Sequence, residues 1–67
     1  MHKIKVEIFY VNGSIAVIYA DAIHTDENGK SIVTFFSTHR TEDKYESIKE
    51  VFVNDELFWK NQEIKYE

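Results

Sequence analysis

Cysteine and proline are both missing from this chain of 67 residues, and glycine occurs only twice. Without cysteine there is no disulfide, no thiolate metal site and no thiol nucleophile. Without proline every backbone N–H can join a β ladder, and no cis-proline turn is available. Two glycines far apart in the sequence, Gly13 and Gly29, cannot form a phosphate-cradling loop. Long apolar runs are missing as well. The longest stretch without a polar residue is 15–20, far short of the ~20 residues of a membrane helix. The first residues, Met1-His2-Lys3, carry no apolar signal segment, so the expectation is a cytoplasmic protein with no membrane partner. In that setting Asn12-Gly13-Ser14 reads as a turn and not as a glycan acceptor.

A chain this short buries only ~60% of the surface its unfolded form exposes. Small domains compensate with disulfides, a structural metal or a partner subunit. Disulfides are excluded, and His2, His24 and His39 are too scattered for a structural metal. An efficient core or self-association remains.

The residues that are present favour strands. The chain has eight Ile, six Val, five Phe, four Tyr and one Trp, against three Ala and a single Leu. β-branched and aromatic side chains fit a pleated, half-buried surface, whereas Ala and Leu favour helices. Residues 3–11 alternate, with Ile4, Val6, Ile8 and Tyr10 on one face and Lys3, Lys5 and Glu7 on the other. Asn12-Gly13 then reads as a hairpin turn of type I′, in which both central residues need positive φ. Residues 14–24 form the return strand, 26–29 the next turn and 30–38 a third strand. The second strand is apolar on both faces: Ile15, Val17, Tyr19 and Ile23 on one, Ala16, Ile18, Ala20 and Ala22 on the other. That pattern fits a central strand covered on both sides, or a sheet packed against the C-terminal segment or a second subunit.

Residues 41–50 allow two readings. One is a short helix capped by Thr41, with Tyr45, Ile48 and Phe52 as its stripe. The other is a hairpin of 47–53 with 56–61 around Asn54-Asp55, echoing the first turn. The closing segment carries Leu57, Phe58, Trp59, Ile64 and Tyr66. Phe58 and Trp59 are adjacent, so on a strand one enters the core and the other faces outward. The expected architecture is a single small β domain over 1–67, mainly β. It is an antiparallel meander of about five strands, either an SH3-like barrel or an open sheet, with a short helix near 41–50 as the alternative for that stretch.

Catalytic chemistry has little to stand on. His24-Thr25-Asp26, with Asp21 and His39 as further candidates, has the residue types of a metal site or a proton relay. No third ligand or supporting shell accompanies it, so it reads as a strand end entering a polar turn. The four serines sit mostly at turn edges or strand starts, where local hydrogen bonding explains them. No catalytic, cofactor-binding or metal-binding residue is therefore assigned, and the expectation is a non-enzyme without cofactors.

Charge is the most informative surface feature. The net charge is −4. Residues 1–40 hold four acids and four bases, so the whole excess lies in 41–67, with eight acids and four bases. Dispersed lysines and an acidic balance argue against a nucleic-acid partner. Acids interleaved with aromatics point to a protein-binding surface of Glu42, Asp43, Tyr45, Glu46, Glu50, Phe58 and Trp59: aromatic anchors give affinity and carboxylates steer toward a basic partner. The leading expectation is thus a non-enzymatic protein-binding module, of the accessory or phage type. Its role would be inhibitor or regulator, engaging a basic surface of a host nucleic-acid enzyme. The alternatives are a homo-oligomeric structural or regulatory subunit, such as a homodimer joined through the apolar second strand, and a small β-barrel nucleic-acid binder.

Overall fold

The computed structural model describes residues 3–26, 28 and 30–62. It holds seven strands: β1 (Ile4–Tyr10), β2 (Ile15–Ala20), β3 (Ala22–Thr25), β4 (Ser31–Phe35), β5 (Arg40–Lys44), β6 (Ile48–Val53) and β7 (Glu56–Lys60). A single 3-10 turn, Tyr45–Ser47, joins β5 to β6. The ladders are all antiparallel and form two open sheets, β2-β1-β6-β7 and β3-β4-β5. The chain is therefore mainly β, as its composition predicts. Of the two architectures expected, the open sheet is found and a closed barrel is not. No helix among the described residues is long and apolar enough to cross a membrane.

The first hairpin follows from the alternation of residues 3–11. β1 and β2 pair without a break from Ile4↔Ala20 to Phe9↔Ile15, which sends Val6 and Ile8 to the core. Its turn differs from the expected type I′. Gly13 has φ +92°, but Asn12 is not in the positive-φ region. The Gly13 N–H donates to the Tyr10 carbonyl (3.0 Å), and the Tyr10 N–H donates to that of Ser14 (2.9 Å). This is a three-residue loop closed by a glycine bulge. Asn12 is held out of the left-handed region by its side chain, whose Oδ1 accepts from both the N–H and the hydroxyl of Ser14. The two-residue turn with both φ positive occurs instead at Asn54 (50°) and Asp55 (68°), in the β6–β7 hairpin.

β2 is not the central, doubly covered strand that its composition predicts; it is an edge. Ala20 is fully buried, while Ile15, Val17 and Tyr19 face outward. The chain then turns at Asp21, whose N–H donates to the Phe35 carbonyl and whose carboxylate meets the Lys3 ammonium. The bend moves the chain into the second sheet and resets the alternation, so Ile23 packs on the core rather than sharing the face of Tyr19. The strand buried on both faces is β4, where Ser31, Ile32 and Thr34 are all buried.

Residues 41–50 do not form a helix capped by Thr41. Thr41 lies inside β5, opposite Thr34, because pairing with the open side of β4 gives the backbone groups of residues 40–44 ladder partners. The helical geometry in this stretch is confined to the 3-10 turn. The β6–β7 hairpin is present as expected. Ile64 and Tyr66, and Glu27 and Gly29 of the second turn, lie outside the described residues. The core is Val6, Ile8, Ala20, Ile32, Ile48 and Val51, each of the large members contributing about 1.5–3 kcal/mol by burial.

Candidate interaction surface

The four-stranded sheet turns one face to the core and the other outward. Ladder partners lie side by side on the same face, so the registers lay the outer face out in rows. Ile15, Phe9, Glu50 and Lys60 make one row, and Val17, Glu7, Phe52 and Leu57 the next. Tyr19 and Lys5 make the third, which closes on Asp55, whose carboxylate lies 2.8 Å from the Lys5 ammonium. Phe9 and Phe52 meet edge to face at 5.6 Å between ring centres.

The apolar exposure is concentrated at the two ends of these rows. Ile15 is 58% exposed, Val17 52% and Tyr19 62% on β2, with Leu57 at 55% on β7. Between them lie charged groups that satisfy one another. The Lys5 ammonium also stands 3.9 Å from the Glu7 carboxylate. The hydrogen bond from Lys5 holds the Asp55 carboxyl below its usual range, and the same contact raises the Lys5 ammonium.

The residues that the charge pattern points to are divided by the fold. Glu42 and Glu46 come together with Tyr45 around a cleft of about 540 Å³ that is also lined by Asp26, Lys30, Ser31, Lys44 and Asn61. Inside it the buried Ser31 hydroxyl donates to Glu42 at 2.9 Å. Asp43 is on the other face of β5, where it accepts from the Tyr10 hydroxyl at 3.2 Å. Burial raises the Tyr10 phenol above its usual value, and the Asp43 charge and hydrogen bond add to this. Glu50 is on the outer face of the four-stranded sheet, opposite Phe9 and Lys60.

Of the adjacent pair Phe58 and Trp59, Trp59 packs on the core and Phe58 stays exposed. The β6–β7 register shifts between Val51 and Phe52, pairing Val51 with Trp59 and Phe52 with Leu57, and Phe58 is the residue left over. This bulge sends Leu57 outward and Trp59 inward, although two positions on a regular strand share a face. Trp59 stacks on Tyr45 at 4.5 Å, and Phe58 stays 39% exposed.

The histidines and aspartates weighed for chemistry are separate. His24 contacts the Phe35 ring, His39 stacks on Phe36, and the Asp26 carboxylate accepts from the Asn28 N–H. Among the described residues, no group of three or more His, Asp or Glu is placed to hold a metal ion.

The charge pattern passes over the exposed apolar side chains of the outer face, Ile15, Val17, Tyr19 and Leu57. For β2 the signal is present in the sequence as a strand apolar on both faces. For Leu57 there is none, because its direction is set by the bulge. Compared with protein-family models, curated proteins and solved structures, the chain matches none.

Proposed function

We propose that this chain is a non-enzymatic protein-association module that works through the outer face of its four-stranded sheet. The observation that carries this reading is the side of β2 turned to solvent. Ile15, Val17 and Tyr19 are each more than half exposed, while Ala16, Ile18 and Ala20 occupy the core side. A solitary domain gains by placing its larger apolar groups inside; a contiguous exposed strip of them marks a contact surface. Tyr19 and the Phe9–Phe52 pair supply the aromatic area on which binding hot spots are built. The acids add less to this reading, since Glu42 and Glu46 share their cleft with Lys30 and Lys44. Steering toward a basic partner is accordingly the weaker component of the proposal.

The test is affinity capture from a lysate of the native cells, with the wild-type chain, Val17→Lys and the double variant Glu42→Lys/Glu46→Lys as baits. Loss of a captured protein with Val17→Lys and its retention with the double variant support the outer face. Retention with Val17→Lys and loss with the charge variant would move the site to the cleft and overturn this reading.

A further inference from the structure

We infer that the occupant of β2 is β2 of a second copy, paired antiparallel about a twofold axis at Val17, so that the two four-stranded sheets join into one of eight strands. The inference rests on the association role just proposed and names its partner. It begins from the open ladder. The Tyr10 N–H donates to the Ser14 carbonyl. Hydrogen-bonded and non-hydrogen-bonded positions alternate along an antiparallel pair. Ala16, Ile18 and Ala20 therefore exchange bonds with β1, and the backbone groups of Ile15, Val17 and Tyr19 point away from it. The next position of that series, Asp21, obeys the rule: its N–H leaves β1 and bonds Phe35. Three residues of β2 thus present both a large apolar side chain and backbone groups aimed at an edge that no described strand covers.

Edges of this kind invite strand addition, and solitary proteins blunt them with charge, bulges or shortness. The other three sheet edges here are blunted. β5 reads Arg-Thr-Glu-Asp-Lys, β7 is bounded by Glu56 and Lys60 and bulged at Phe58, and β3 has only four residues, His24 among them. β2 has six residues, no charge and an unbroken register. Among the described residues it is the one sheet edge left without protection, as a strand that is covered in the working state would be.

A second copy fits this edge on its own terms. A twofold pairing brings the same patch to itself, so it must be self-complementary. Centred on Val17, it sets Ile15 against Tyr19 of the other copy on the outer face, a favourable β-branched–aromatic pair. On the core face it sets Ala16 against Ile18, small against large. All three outward-pointing residues exchange hydrogen bonds in this register. Charge permits the approach: a chain of net charge −4 meets itself along a neutral strip, and Asp21 at its end falls opposite Gly13. Such a pairing buries on the order of 1,000 Å² in total, at the low end of specific interfaces, so the test extends to high protein concentration.

The experiment combines sedimentation equilibrium with cysteine scanning, which the absence of native cysteine makes clean. At concentrations up to about 200 μM, the wild-type chain should reach twice its 8.0 kDa mass, and Val17→Lys should stay at 8.0 kDa with unchanged circular dichroism. Val17→Cys should form a disulfide-linked dimer under mild oxidation, because a hydrogen-bonded pair holds its Cα atoms ~5.5 Å apart, within disulfide reach. Ile15→Cys and Leu57→Cys should not, the former because four residues separate it from its counterpart along the strand, ~14 Å. A wild-type chain that stays monomeric, a dimer that survives Val17→Lys, or linkage through Leu57→Cys and not Val17→Cys overturns the inference. A monomer that still captures another protein in a Val17-dependent way overturns self-pairing and leaves the association role standing. A monomer without such capture overturns both.

Discussion

Thr34 is fully buried in β4, and its hydroxyl has no hydrogen-bond partner among the described residues. Stranding a polar group in this way costs about 1–3 kcal/mol. Thr34→Val keeps the shape and removes the stranded group, so urea denaturation should show a chain at least as stable, by about 1 kcal/mol at best. A second residue-scale effect concerns pH. The Tyr10 phenol is raised above its ordinary 10.0 by burial and by Asp43. A group raised on folding contributes stability in full below its unfolded value and loses it as pH rises through the folded one. Lys5, also raised, acts in the same direction. Asp55 is lowered from its ordinary 3.8, so its contribution is present above that value and is lost as pH falls through the folded one. Urea midpoints followed across pH should decline at both extremes. Tyr10→Phe should flatten the alkaline decline and leave the acid one unchanged; an unaltered alkaline decline would remove Tyr10 from the account.

The hairpins are the elements most legible in the sequence, because strict alternation and Asn-containing turns encode them locally. Their turn types are less so. Asn12-Gly13 has the better type I′ sequence, yet Asn54-Asp55 adopts that turn, since Asn54 is tied to β1 from both sides. Its N–H donates to the Lys5 carbonyl (2.9 Å), and its Oδ1 accepts from the Lys5 N–H (3.0 Å). Those bonds are long-range, so no local pattern contains them. Asn54→Ala should therefore cost about 1–2 kcal/mol, from left-handed strain plus the lost bond. Asn54→Gly should cost less, since only the bond is lost; equal losses in thermal unfolding would assign the whole effect to the side chain. β5 was hidden for a different reason. Its five residues are all polar or charged, and they become a strand because β4 offers them a ladder.

At the scale of the whole molecule, the sequence carries the class and most of the core, while the contact surface is legible only in part. A strand apolar on both faces is visible at Ile15, Val17 and Tyr19. Whether such a strand is central or an edge depends on β1 pairing with β6, forty residues away. The acidic excess after residue 40 is equally visible, but the fold distributes Glu42, Asp43 and Glu50 over three different faces. Self-pairing also links stability to concentration, because the folded dimer is favoured by mass action. A tenfold rise in concentration should raise Tm by roughly 3–6 °C, and should leave Val17→Lys unmoved. A wild-type Tm independent of concentration would count against self-pairing of the folded chain.

The Tyr45–Trp59 stack gives the chain a built-in optical probe. Trp59 is its only tryptophan, it is half-buried against Tyr45, and β7 is an outer strand. The following residue but one, Asn61, fastens that strand by donating its side-chain amide to the carbonyls of Tyr45 and Ile48. Indole emission therefore reports the seating of β7 on the 3-10 turn, at a site remote from the free edge of β2. Association at that edge and fraying at the opposite one can thus be followed in one sample, by sedimentation and by fluorescence, without a label attached to either.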